Sequence, residues 1–206
     1  LTGLREEVID PGTEFYCGGG ILVPLDEDES KGEDYGCWLR DGGHHILNLE
    51  GALIQSCDVY FYNVGVSAGQ RRENGKLNHY YDYNTLTSKS GDSHDFGGLG
   101  INKIHSNLTK RFWFGRITGI DLPVETAGLI GSEEWIRETY NVGWSIGDTI
   151  NAAIGQGNIE ASPLQMCMNT AALANGGKIY KPRIVQSIVD NDGNVLQEFA
   201  PVVKRR

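Results

Sequence analysis

Leu49, Ala52 and Leu53 recur at helical spacing ahead of the run Ser56-Cys57-Asp58-Val59-Tyr60-Phe61-Tyr62. This spacing predicts a short helix that delivers the chain to Ser56. Tyr60, Phe61 and Val64 carry the apolar pattern on, so a second helix is expected to leave the junction and stop near Gly65. At such a junction Ser56 and Asp58 face one way and Cys57 the other, a layout that suits a catalytic turn anchored in a core. Further along, Ile101, Ile104, Leu108 and Phe112 mark residues 99–114 as an amphipathic helix. Ser132 reads as an N-cap, with Glu133 and Glu134 in the first turn where the helix dipole favours anions. Ser162 and Pro163 read as a cap followed by a proline at the first helical position. Leu164, Cys167, Met168 and Ala171 are expected on one face of that helix, with Cys167 as a buried apolar residue. Asn175-Gly176-Gly177 should stop it, and residues 184–189 and 194–199 around Asp190-Asn191-Asp192-Gly193 read as a β-hairpin.

The remaining stretches are polar or short. Residues 1–8 read as the tail of a helix, Asp10-Pro11-Gly12-Thr13 as a turn, and residues 15–25 as a short strand and loop. Residues 26–34 hold six acids against Lys31, and a solvated acidic loop is expected there. A calcium loop counted from Asp26 fails, because Lys31 and Cys37 stand where glycine and glutamate are needed. Residues 70–97 are polar, interleave Tyr80, Tyr81 and Tyr83, and show neither helical nor strand period.

With 206 residues the chain can bury a core as one domain or most of a larger one. A net charge of -9 and the lack of a basic run argue against nucleic acid or anionic membrane as the main partner. No apolar run approaches the ~20 residues of a membrane helix. The first residue is not Met and no signal-peptide pattern follows it, so the start is expected to be internal.

A Ser-x-Asp triplet alone is weak, since Ser90-Gly91-Asp92 and Ser93-His94-Asp95 match it without an apolar anchor. A second set of stretches lifts Ser56 above them: Gly147-Asp148-Thr149-Ile150-Asn151, Ala153-Ile154-Gly155-Gln156-Gly157, Ser162-Pro163-Leu164-Gln165-Met166, Thr118-Gly119-Ile120-Asp121-Leu122-Pro123 and Glu125-Thr126-Ala127-Gly128-Leu129. Together these resemble the transpeptidase domain of penicillin-binding proteins, in particular the class B, elongation-type penicillin-binding protein 2. The resemblance covers the chain apart from a polar insertion at about 70–97.

It implies an α+β, penicillin-binding/β-lactamase-like fold, with a helical subdomain and part of the antiparallel sheet, incomplete at both ends of residues 1–206. It also implies a peptidoglycan D,D-transpeptidase working through a serine ester, with Ser-x-x-Lys, Ser-Asp-Asn and Lys-Thr-Gly as its motifs. No Ser-x-x-Lys occurs here, and Lys89-Ser90-Gly91 lies in the insertion, ahead of Gly155-Gln156-Gly157 rather than after it. The nucleophile is therefore expected upstream of Leu1 and the third motif downstream of Arg206, with this fragment inactive by itself. Ser56 then takes the proton-relay role, because a hydroxyl both donates and accepts. Asp58 stands where many relatives carry Asn and can accept but not donate unless protonated.

The expected partners are peptidoglycan stem peptides, β-lactam antibiotics and other cell-wall synthesis proteins, with no nucleic acid. The expected place is the extracytoplasmic face of the cytoplasmic membrane, with an anchoring helix outside the chain. A β-lactam sensor or serine β-lactamase relative, and a non-catalytic extracytoplasmic module, are the alternatives.

Catalysis of this kind requires no cofactor, but the cysteines raise a structural one. Cys17, Cys37 and Cys57 fall in one short span with His44 and His45 between the last two. Three thiols and an imidazole make a Cys₃His zinc shell, and Gly43-His44 resembles a Gly-His-Gly stretch of relatives, which favours His44. The spacings match no finger or ribbon. A disulfide and free thiols stay open beside zinc.

Overall fold

A computed structural model of the protein describes residues 1–24, 32–66, 72–73, 76–77 and 98–205. The chain divides into two units, Leu1–His105 with Gly131–Asn158, and Ser106–Ile130 with Ile159–Arg206.

The first unit is built around the helix that leaves the Ser56 junction. This helix, α3 (Asp58–Val66), buries Val59, Tyr60, Tyr62, Asn63, Val64, Gly65 and Val66, which leaves it little exposed surface. A helix apolar on all sides belongs inside a core, and each large buried side chain contributes about 1.5–3 kcal/mol. Its polar groups are matched. The Tyr60 hydroxyl donates to the Thr13 carbonyl (3.0 Å), Tyr62 to the Gly36 carbonyl (3.0 Å), and the Asn63 amide to the Val59 carbonyl (2.8 Å). Phe15 meets Tyr60 edge-on at 4.9 Å. α3 also packs on α6 (Ile146–Ala153), so closely that a Cβ on Gly65 would lie 2.7 Å from the Ala153 methyl.

Around α3 stand α1 (Thr2–Arg5), α2 (Leu49–Gln55) and two antiparallel strand pairs. β1 (Phe15–Cys17) pairs with β4 (His45–Leu47), which sets Cys17 opposite His45. β2 (Gly20–Pro24) pairs with β3 (Gly32–Gly36), Gly20 opposite Gly36. The single strand expected over 15–25 is thus two strands, because the chain turns at Gly19, whose φ of +100° suits glycine. Glu33 and Asp34, expected in a solvated loop, lie in β3, while residues 25–31 fall outside the described residues. Most of the 70–97 insertion also falls outside them. Its described part is a short pairing of β5 (Arg72–Glu73) with β6 (Lys76–Leu77), where no strand period was expected. α4 (Gly100–Lys110) ends two residues short of Phe112, and α5 (Glu133–Tyr140) starts at the expected cap, Ser132 Oγ accepting from Trp135 N.

The second unit holds the pair β7 (Leu129–Ile130) and β8 (Ile159–Glu160), then α7 (Pro163–Ala174). It also holds the pair β9 (Ile179–Tyr180) and β12 (Val203–Arg205), and the hairpin β10 (Ser187–Val189) with β11 (Val195–Glu198). Met168, Ala172 and Ile179 form its buried cluster, with Trp113 and Leu164 packed against them. The buried face of α7 is therefore Gln165, Met168 and Ala172, and Cys167 is exposed rather than buried. The reason is Gln165. Its amide sits inside and donates to the carbonyls of Arg116 (2.8 Å) and Ala127 (2.9 Å), which satisfies a buried polar group. The hairpin forms where expected, with both β11 faces exposed. Helices beside small antiparallel pairs make the fold α+β. No helix among the described residues is long and apolar enough to cross a membrane.

Candidate functional site

α2 begins at Asn48, whose side chain accepts from Gly51 N, and ends at Ser56 in the left-handed conformation (φ 50°, ψ 49°). The Cys57 amide reaches back to the Ala52 carbonyl at 3.0 Å, a six-to-one closure of the kind glycine usually makes. Serine holds this backbone at a cost of roughly 1–2 kcal/mol, so the turn is imposed by its surroundings. The result is the predicted layout: Ser56 exposed, Cys57 wholly buried, Asp58 half-buried at the start of α3.

Behind the turn, Cys57 meets three other side chains. The metal-ligating atoms of Cys17, Cys37, His44 and Cys57 all lie within 4.8 Å of one another. His44 Nδ1 is 3.6 Å from Cys17 Sγ and 3.5 Å from Cys37 Sγ. Four different segments bring them together: the end of β1, the exit of β3, the approach to β4 and the entry of α3. Gly43 permits the last approach of the His44 loop. Its φ is +62°, and a Cβ there would run into the Cys17 carbonyl. Burial, and after it the neighbouring Cys17 and Cys37, push the Cys57 thiol well above the ordinary range.

The donor set fits zinc. Tetrahedral Zn–S bonds of about 2.3 Å place sulfurs about 3.8 Å apart, within the spread seen here. The three thiols are free in this structure.

Trp38, which pattern reasoning missed, ties the cluster loop to the Ser56 turn. Its backbone amide donates to Asp58 Oδ2 (3.1 Å), and its indole N–H donates to the Gln55 carbonyl (2.9 Å). Its ring lies edge-on to His44 at 5.1 Å. One Asp58 oxygen is thereby committed to holding the 37–44 segment. No periodicity marks Trp38, since its role exists only once the segments meet. The Gly155-Gln156-Gly157 stretch is a tight turn after α6, both glycines at positive φ.

The whole chain, residues 1–206, matches the family described as the penicillin binding protein transpeptidase domain. It is 31% identical over 187 residues to the peptidoglycan D,D-transpeptidase MrdA of Acinetobacter baumannii, covering 91% of this chain and 22% of that protein. Among solved structures it is similar to the penicillin-binding protein PBP2 of Helicobacter pylori in complex with MreC. There the TM-score is 0.65 at 26% identity, over 94% of this chain and 28% of that one. Pseudomonas aeruginosa PBP2 in complex with WCK 5153 gives a TM-score of 0.65 at 27% identity, over 97% of this chain and 37% of that one. The chain thus spans about a quarter of the length of the curated relatives it matches. The resemblance read from Gly-Ile-Asp-Leu-Pro and the motifs around it holds, and the chain belongs to the penicillin-binding protein transpeptidase family.

Proposed function

We propose that the protein containing this chain is a peptidoglycan D,D-transpeptidase, and that Ser56 and Asp58 form the middle motif of its active site. The observation that carries the reading is the α2–α3 junction. It presents the Ser56 hydroxyl outward from a turn gripped from behind through Cys57 and from the side through Trp38. In the reaction, a serine hydroxyl elsewhere in the protein attacks the carbonyl of a stem peptide's terminal D-alanyl bond. That bond breaks, the leaving amine takes up a proton, and an ester remains. The amine of a second stem peptide then displaces the serine. Each transfer needs a proton carried between nucleophile, base and leaving group, and Ser56 supplies a hydroxyl that accepts and donates. Asp58 serves as an acceptor, one oxygen holding Trp38.

The zinc reading belongs to the same proposal. Cys17, Cys37, His44 and Cys57 hold one zinc ion, which supplies folding energy and no step of the reaction. β-Lactams are the expected inhibitors, and stem peptides the substrates. By likeness to the H. pylori complex, an MreC-like protein is the expected partner. The expected place is the extracytoplasmic face of the membrane, as for this family.

Labelling the full-length protein with a fluorescent β-lactam tests the enzyme. A label that forms and stays for hours supports the synthase, fast release points to a β-lactamase, and no label leaves only an interaction module. Elemental analysis of protein purified without chelator should find about one zinc per chain. Two thiols missing on titration of unreduced, denatured protein, with no metal found, would mean a disulfide instead.

A further inference from the structure

The second unit carries nine Lys/Arg against six Asp/Glu, while the rest of the chain carries nine against twenty-one. Its surplus gathers at one concavity of about 310 Å³, lined by Ser106, Lys110, Arg111, Trp113, Arg116 and Arg205. Among the described residues no carboxylate lines it. Lys110, Arg111 and Arg116 lie close together in the sequence, at the end of α4 and in the turn after it, and the fold adds Arg205 from the end of β12.

Two features make this more than a solvated charged face. First, the cations are not neutralised from within: among the described residues none of Lys110, Arg111, Arg116 and Arg205 forms an ion pair. The acids of the same segment are spent elsewhere. Glu125 accepts from Thr118 N (2.6 Å) and Gly119 N (2.9 Å), and Asp121 from Ile184 N (2.7 Å) and Val185 N (3.1 Å).

Second, the turn that carries them is fixed. The Asn169 amide holds the Phe112 carbonyl (2.8 Å), and the buried Gln165 amide holds the Arg116 carbonyl (2.8 Å). Trp113 sits at φ 60° with its indole N–H on the Ile117 carbonyl (3.3 Å). The Arg116 guanidinium lies 5.1 Å from the centre of the Trp113 ring, and the Lys204 ammonium 5.0 Å from it. An aromatic ring with cations over it orients them without cancelling their charge.

The geometry points to a binding site for a phosphate-class anion, of the size of a diphosphate group, in this concavity. Three guanidinium forks match phosphate oxygens two at a time, and Ser106 adds a hydroxyl. The volume is at the small end for ligand pockets, which suits a compact anion. The aromatic floor is occupied by the protein's own cations, so a stacking nucleobase is not called for.

The test is calorimetric titration of inorganic diphosphate into the full-length protein at low salt, beside vesicles of phosphatidylglycerol and of phosphatidylcholine. Saturable one-to-one diphosphate binding that weakens about tenfold or more in the Arg116→Gln/Arg205→Gln double variant supports a free-anion site. Binding of phosphatidylglycerol vesicles alone, lost in the same variant, supports the site with a lipid headgroup as its source. Lys178→Gln, a cation of the same unit outside the concavity, should stay within about twofold of wild type. Melting temperature checks that both variants fold. Three results would overturn the site: no binding of either probe, equal loss in Lys178→Gln, or citrate binding as tightly as diphosphate.

Discussion

Two helix ends in this chain use serine in opposite ways. At the start of α7, Ser162 Oγ accepts from Gln165 N (3.2 Å) and the Gln165 side chain accepts in turn from Ser162 N (2.8 Å), a closed capping box. Ser145 and Asp148 do the same at the start of α6, and Ser132 caps α5. At the end of α2 the backbone of Ser56 does the capping, and among the described residues its hydroxyl makes no hydrogen bond. The turn also sits in a conformation that glycine would hold more cheaply. A serine whose hydroxyl is consumed by a helix is explained by the helix. A serine in an unfavourable backbone conformation, with its hydroxyl unspent, points to chemistry.

The comparison breaks most visibly at Ser56. In the full-length protein Ser56→Ala should slow acylation by a β-lactam by about 10²–10⁴-fold, the range for losing a proton-transfer partner. Its melting temperature should barely move. Unchanged acylation with a lowered melting temperature would make Ser56 a cap like the others.

Metal removal probes what grips the turn from behind. A chelator strong enough to strip zinc should lower the melting temperature by about 10 °C or more, restored by adding zinc back. A melting curve indifferent to chelation would leave the four side chains without a metal.

Ser162→Ala is the converse of the first substitution. It should cost about 1 kcal/mol of stability, read as a drop of about 2–4 °C, with acylation by β-lactam close to wild type.

The smallest effect lies at Glu125. Burial works to raise its pKa, but the bonds it accepts at Thr118 and Gly119 prevail and hold it below the ordinary carboxylate value. A lowered folded pKa gives stability that is present above the unfolded value and lost as pH falls through the folded one. Glu125→Gln should therefore melt below wild type at neutral pH, and the gap should close as pH falls below about 4. A gap that widens on acidification would reverse the sign.

Much of the junction was legible because its apolar residues are dense and each helix end has its own signal. The cysteine–histidine cluster was legible only as a composition, since its spacings match no known finger and the meeting of four segments is a tertiary event. The α7 face was misread at Cys167 for a physical reason: a polar Gln165 occupies the inside position because two carbonyls wait there for its amide. The Ser145–Asp148 box was within reach, as its Ser-x-x-Asp spacing is a capping signal. Trp38 carries no local signal, because its partners Gln55 and Asp58 lie far away in the chain. In the basic concavity, by contrast, Lys110, Arg111 and Arg116 stand close together in the sequence and only Arg205 is brought in by the fold.

The central claim is that the Ser56 hydroxyl serves reaction rather than fold, and Ser56→Gly in the full-length protein separates the two. Glycine relieves the left-handed backbone while removing the hydroxyl, so stability should hold or rise by up to about 1 kcal/mol. Acylation by a fluorescent β-lactam, followed beside the melting temperature, should still fall by about 10²-fold or more. A Ser56→Gly protein that melts no lower than wild type and acylates as fast would contradict the account.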